Sequence, residues 1–215
     1  MPRIDLHTHS IVSPDGSLTD AHYAAMLASG RLDYIAVTDH NRIDFAAALQ
    51  AQLGKQIIIG EEVTTTEGEI IGLFLRELVP AGLSAYQTAV QIHEQGGLVY
   101  VPHPFETVRK GISLQTLTAI ADLVDIIEIY NGRTLQNRGK RAAVWAQTHK
   151  VAAAASSDAH GTRGWGKTCS IIDVPPTVTG LVKALRSATY DTRSVGVVGR
   201  LYPKYNRLRR HRHGS

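Results

Sequence analysis

The 215-residue sequence predicts an α/β barrel. Strand and helix signals alternate almost from end to end, the strands are apolar enough to be buried on both faces, and several of them end in a histidine or an acid. Repeated βα units of this kind imply a mostly parallel sheet covered by helices. About seven such units in one short domain favour closure into a barrel, and barrels of this class carry their reactive residues at the C-terminal ends of the strands.

Residues 4–9 read as a strand, and Thr19 caps a helix that Gly30 stops. Residues 34–39 form a second strand, followed by a helix over 45–53 that Gly54 ends. Residues 56–63 and 70–75 are two strands joined by a hairpin turn at Glu67-Gly68. Ser84 caps a helix to about residue 95, and Gly96-Gly97 breaks it before the strand 98–101. A helix over 114–123 precedes the strand 125–130, and a helix over 135–149 precedes the alanine-rich strand 151–155. A last strand, 169–174, meets Pro175-Pro176, and a last helix covers 178–188.

Composition narrows the classes. Hydrophobic content of 43% and charged content of 20% are ordinary for a globular protein. Cys169 is the only cysteine, which excludes an internal disulfide framework and a cysteine-based zinc knuckle. No signal-peptide core and no run of membrane-spanning length is present, so a cytoplasmic location without membrane contact is expected. The net charge of +4 is local: Arg200, Lys204, Arg207, Arg209, Arg210 and Arg212 have no acidic neighbour in the last 16 residues. Removing those six from 23 basic residues leaves 17 against 19 acidic ones, a net of −2. The expected organisation is one domain over 1–199 and a basic tail over 200–215. That tail reads as a solvated terminus, and it is also the segment that a nucleic acid would contact.

His7 and His9 are separated by one residue at the end of a strand, so both imidazoles point to one side. The pattern recurs at Thr38-Asp39-His40, Gly60-Glu61-Glu62, Pro102-His103-Pro104 and Ser157-Asp158-Ala159-His160. Ligand-type residues placed repeatedly at strand ends indicate one shared site at one mouth of the barrel. His7, His9, His40, His103 and His160 offer nitrogen, and Asp15, Glu62 and Asp158 offer carboxylate oxygen. These eight exceed the needs of one tetrahedral zinc and suit two or three ions, with Glu62 bridging. Mixed nitrogen and oxygen donors accept Mn, Fe or Zn. Ions about 3.5–4 Å apart share a hydroxide suited to attack on phosphorus. No P-loop, Gly-x-Ser-x-Gly or dinucleotide-binding glycine motif supports a rival chemistry.

Taken in order, these motifs with Asp15 closely resemble the PHP (polymerase and histidinol phosphatase) family, over nearly the whole chain up to about Val174. The resemblance implies a distorted seven-stranded (β/α) barrel with a metal cluster at the C-terminal mouth of its strands, hydrolysing phosphate esters. It implies that His7, His9, Glu62 and Asp158 hold one metal, Asp15, His40 and His160 another, and Glu62 with His103 a third. Where many three-metal members have a histidine, this chain has Glu69, in Glu69-Ile70-Ile71-Gly72. A glutamate there still ligates but shifts preference toward harder ions such as Mn.

Asp39 matches no ligand position. It is read as orienting His40 or neighbouring backbone, and it is the one side chain besides the shared hydroxide with a candidate catalytic role. Glu61 faces away from Glu62 on an alternating strand and is read as structural. Glu128 and Asn131 end a strand near the mouth, and Asn131, Arg133, Arg163 and Lys167 are the candidate substrate contacts, the cations pairing with phosphate. His22, His93 and His149 fall in helices without ligand neighbours and are read as ordinary packing or surface residues.

The expected function is a metal-dependent phosphoesterase acting on a small phosphorylated metabolite or nucleotide. One alternative is a 5′- or 3′-directed nuclease on short oligonucleotides that uses the basic tail. Another is a non-catalytic, metal-stabilised module that binds a partner protein. No motif selects a nucleobase or sugar, and oligomeric state has no signature. On this reading, cutting the chain after Gly199 weakens a polymer substrate and leaves a small phosphomonoester almost unaffected.

Overall fold

In the computed structural model, which describes residues 1–134, 138–193 and 195–213, the strands form a single sheet that is nearly closed. They are β1 (Arg3–Asp5), β2 (Tyr34–Val37), β3 (Ile57–Thr65), β4 (Gly68–Leu73), β5 (Leu98–Val101), β6 (Ile126–Asn131), β7 (Ala152–Ser156), β8 (Thr168–Ile171) and β9 (Thr189–Thr192). Their order is β7-β6-β5-β4-β3-β2-β1-β8-β9. Pairs β1–β2, β2–β3, β5–β6 and β6–β7 are parallel. The hairpin β3–β4, and the pairs β4–β5, β1–β8 and β8–β9, are antiparallel.

Among the described residues there are therefore nine strands, where the family resemblance implied seven. Strand β9 escaped the sequence because Thr-Tyr-Asp-Thr carries no apolar alternation: it is a polar edge strand, blunted by Asp191 and its ion pairs with Arg3 and Arg193. The remaining gap is spanned by side chains. The Ser170 hydroxyl on β8 donates to the Ala155 carbonyl on β7 (3.1 Å) and accepts from its N–H (2.9 Å). Tyr190 on β9 donates to the Ala153 carbonyl at 3.2 Å.

Alternate residues of the strands fill the interior. One apolar cluster takes Ile4, Ala36, Ile58, Ile71, Tyr100, Ile126 and Ala154 from β1 to β7 and closes with Leu181, Ala184 and Leu185. These last three belong to α6 (Leu181–Arg186). The other faces bury Val99, Ile127 and Val63 under α3 (Ala85–Glu94) and α5 (Arg138–His149), and Ile35, Val37 and Ile57 under α1 (Asp20–Ala28) and α2 (Asp44–Leu53). Each such aliphatic side chain contributes about 1.5–3 kcal/mol on burial. Helix α4 covers Leu114–Ala119 only, a separate turn following at Ala121–Leu123. The sequence reading began the helix before β7 at residue 135, and its first three positions lie outside the described residues.

The largest departure lies at the C-terminus. The basic segment expected as a solvated tail continues a helix, α7 (Gly196–His213), which starts before the boundary at residue 199 and packs across the barrel mouth. Gly196, Gly199 and an internal Pro203 hid it, since glycine and proline disfavour helix interiors. No helix among the described residues is long and apolar enough to cross a membrane.

Candidate metal centre

The two first histidines are aimed by the residue between them. Thr8 donates from its hydroxyl to the Ala36 carbonyl (2.7 Å) and pairs with Ala159, fixing the strand end between β2 and β7. His7 and His9 then project to one side, with their Nε2 atoms 3.0 Å apart. Glu62, on β3 beside His40, is the hub. Its Oε2 lies 3.4, 3.2 and 3.3 Å from nitrogens of His7, His9 and His40, and its Oε1 lies 3.0 Å from His103 Nε2. Asp158 Oδ1 sits 3.5 Å from both His7 and His9 Nε2 and 3.3 Å from His160 Nδ1. Asp15 Oδ1 faces His160 Nε2 at 3.4 Å and His40 Nε2 at 3.7 Å. Glu69, on β4, completes the rim 3.8 Å from His40 and 3.9 Å from His103.

All nine sequence-derived ligand candidates thus converge, and all but His40 are buried. Four overlapping groups have donor atoms within 4.8 Å of one another: His9, Asp15, His40 and His160; His7, His103 and Asp158; His7, His9 and Glu62; and His40, Glu62 and Glu69. The grouping differs from the sequence assignment in four ways: His9 also joins the Asp15 group, His40 also joins Glu62 and Glu69, Asp158 stands apart from the His7, His9 and Glu62 group, and His103 groups with His7 and Asp158. His103 (φ 27°) and Asp158 (φ 53°) hold left-handed backbone, a conformation that such residues keep where surrounding contacts impose it.

Electrostatics fit a cation site. Burial, then repulsion from Glu62, pushes the Glu69 carboxyl up to about 9. Burial opposes charge on His9, yet Asp158 and Glu62 raise it to about 10. Burial and then His9 push His160 down to about 3. Asp158 stays well below the carboxylate range although burial opposes it, because Arg133 and His7 stabilise its charge. A buried set of nitrogen and oxygen donors that takes up protons to offset crowded carboxylates is one that divalent ions suit.

The supporting layer is dense. Glu128 Oε1 meets His7 Nδ1 (3.3 Å) and accepts from the Tyr100 hydroxyl (2.8 Å), while its Oε2 accepts from the His103 N–H (2.6 Å) and from Asn131 (2.9 Å). One carboxylate therefore orients the ring of one candidate ligand, His7, and holds the backbone of another, His103. Asp39 accepts from Ser10 N–H (2.6 Å) and hydroxyl (2.5 Å), so it holds neighbouring backbone and leaves His40 untouched. Asp5 does the same for Ser157, accepting from its N–H at 2.9 Å and its hydroxyl at 2.5 Å. Glu61 points the other way and accepts from the Val79 N–H at 2.9 Å. His22 caps α1 through Thr19, His93 pairs with Asp125 at 2.8 Å, and His149 stacks on Trp145. All three lie outside the cluster.

Of the substrate candidates, Arg133 lines the mouth and donates to Asp158 Oδ2 at 3.0 Å, and Asn131 bridges Asp158 and Glu128. Arg163 and Lys167 are exposed and do not line the cavity, because the loop after β7 turns them outward. Arg109 takes a place the sequence reading did not foresee: on the turn Thr107–Arg109, it donates to Asp158 Oδ2 at 2.6 Å and to Asn131 at 2.8 Å. A cavity of about 840 Å³ opens over the cluster, lined also by Lys110, Lys204 and Arg207.

No family model matches the chain. It is 34% identical over 142 residues to uncharacterized protein MJ1587 of Methanocaldococcus jannaschii, covering 60% of this chain and 83% of that protein. It is 34% identical over 167 residues to MJ0417 of the same organism, covering 74% of this chain and 65% of that one. Among solved structures, a two-domain protein from Bacteroides vulgatus containing a predicted PHP-like metal-dependent phosphoesterase superposes with a TM-score of 0.72 at 20% identity, over 88% of this chain and 64% of that one. PsfC from Pseudomonas syringae superposes at 0.68 with 17% identity, over 99% and 100% of the two chains. An amidohydrolase from Chromobacterium violaceum, with bound sulfate and no metal, superposes at 0.61 with 16% identity, over 91% and 99%. At these identities the structural likeness establishes a shared fold. This chain spans under two thirds of MJ0417 and of the Bacteroides protein.

Proposed function

This chain belongs to one family with uncharacterized protein MJ1587, and from the geometry of its barrel mouth we propose that it is a metal-dependent phosphoesterase of PHP type. The observation that carries the reading is Glu62: one buried carboxylate within 3.4 Å of four histidines from three other strand ends, with Asp158 facing two of them. His7, His9, Asp15, His40, Glu62, Glu69, His103, Asp158 and His160 would hold two or three ions, of Mn, Fe or Zn. Such ions supply Lewis-acid activation of water and neutralise charge developing at phosphorus.

The chain's own residues do the rest. Glu128 keeps the His7 ring turned inward and fixes the backbone at His103. Arg109 and Arg133 occupy Asp158 Oδ2, which leaves Oδ1 toward the histidines. Lys110, Lys204 and Arg207 give the cavity a positive rim for a phosphate group, and its volume suits a metabolite or mononucleotide. After loading with Mn, Fe or Zn, a panel of phosphomonoesters should release free phosphate, and a loaded protein that releases none would sink the reading. An oligonucleotide end is a second reading, favoured by Arg200, Lys204 and Arg207 on the same wall. It predicts shortened oligonucleotides and a steep fall of affinity with salt.

Two further outcomes follow. Chelation should destabilise the protein: ions present at about 1,000 times their dissociation constant stabilise by about 4 kcal/mol. For a chain of this size that corresponds to a fall in Tm of about 8–16 °C. Differential scanning fluorimetry with and without chelator measures it, and an unchanged Tm would count against bound ions. Glu69→Gln should weaken one ion while the groups lacking Glu69 stay filled, and Glu69→His should raise relative Zn or Fe uptake. Elemental analysis giving the same counts and preferences for all three proteins would make Glu69 a bystander.

A further inference from the structure

Helix α7 reaches the cluster through backbone carbonyls. The buried Asn206 side chain donates from Nδ2 to the carbonyl of Asp15 (2.8 Å) and to that of His160 (3.0 Å). These carbonyls belong to two different loops, one following β1 and one following β7. An amide NH₂ has two N–H donors, one for each acceptor. Around it, Arg207 Nη2 pairs with Asp15 Oδ2 at 2.6 Å, and Arg210 donates to the carbonyls of Gly16 (3.1 Å) and Ile11. Tyr202 packs against Gly161, where a Cβ would come within 2.6 Å of its ring. A helix from the far end of the chain thus ties together the loops that carry Asp15 and His160.

Resting on the metal-binding reading above, we propose that Asn206 is a positioning residue, and that α7 is a strap assembling one group of the cluster: His9, Asp15, His40 and His160. The remaining groups form without it. Their donors sit on or just beyond β1, β2, β3, β4, β5 and β7, where strand ladders, Glu128 and Arg109 hold them, whereas the bonds of Asn206 and Arg207 go to the Asp15 and His160 loops. The strap therefore acts selectively. Asp15 needs it most, because it stands on a loop, and Arg207 on its Oδ2 turns Oδ1 toward His40 and His160.

The test uses the full chain with Asn206→Leu, which keeps the volume and removes both donors, and Asn206→Asp, which sets a carboxylate against two carbonyls. Arg209→Ala, on the exposed side of α7, is the control. Mn²⁺ is titrated by calorimetry and bound metal is counted by elemental analysis, with circular dichroism reporting the fold. One equivalent should bind about 10–100-fold more weakly in both Asn206 variants, the span expected when an outer partner of a ligand is lost. The other equivalents, and all of those in Arg209→Ala, should match the parent. Should Asn206→Leu fail to fold, Asn206→Ser is read in the same way. Folded Asn206 variants with parental Mn²⁺ binding, or with every equivalent lost together, overturn the inference. A parent protein that takes up no Mn, Fe or Zn overturns the metal reading itself and this inference with it.

Discussion

Glu62→Ala should empty most of the cluster and abolish hydrolysis. The carboxylate belongs to two of the four donor groups and touches His7, His9, His40 and His103 at once. Its removal leaves those imidazoles without a shared anion to bring an ion among them. Charge stabilisation by catalytic ions amounts to several kcal/mol, so activity should fall by about a thousandfold or more. His9→Ala and Asp158→Ala should behave alike, since each also serves more than one partner. His93→Ala should keep metal and activity, because that ring is spent on Asp125 at the surface. Metal counts and phosphate release measured on the same preparations decide it. Full activity in metal-free Glu62→Ala would place the chemistry elsewhere.

Cutting the chain after Gly199 should impair hydrolysis of every substrate, small ones included. On sequence grounds the segment was a dispensable tail that only a polymer would notice. The fold makes it a wall of the cavity, with Pro203, Lys204 and Arg207 facing the cluster and Asn206 holding two ligand loops. The truncated protein should lose about 10–100-fold in affinity for one ion. It should also show a raised KM, because three cations, Arg200, Lys204 and Arg207, leave the cavity wall. Steady-state kinetics on a small phosphomonoester separates the two accounts: unchanged kcat and KM would return residues 200–215 to the status of a tail.

The barrel and the convergence of the candidate donors were legible because both are written locally. A strand that ends in His-x-His, or in Asp-Ala-His, announces its inner residues and its end in one short segment. Glu69 was legible as a departure from a pattern, and it does lie at the rim of the cluster beside His40 and His103. The unread parts depend on contacts between distant segments. Arg109 sits on an irregular turn, and nothing in Thr-Val-Arg foretells a bond to Asp158. Asn206 reaches Asp15 across 191 positions, and its neighbours argue against the helix it stands on. Strand β9 takes its state from the open edge of β8. Arg163 and Lys167 show the converse error: cations just past a strand end suggest a site, yet the path of the loop decides where they face.

The strap comes after the barrel. His7 and His9 precede α7 by nearly 190 positions, with every strand of the sheet from β2 to β9 between them. β1 gains its β8 partner only after some 170 residues, and Asn206 adds its two bonds to the Asp15 and His160 loops, which the Ser17 hydroxyl already joins through the His160 carbonyl at 2.7 Å. A centre joined over such sequence distances rests on non-local contacts, the kind that slow folding of the domain as a whole. On the metal-binding reading, imidazole nitrogen and carboxylate oxygen stand together only in the assembled barrel, with Glu62 and Glu69 in place, so the metal preference expected of this site belongs to the folded chain and not to its separate histidines.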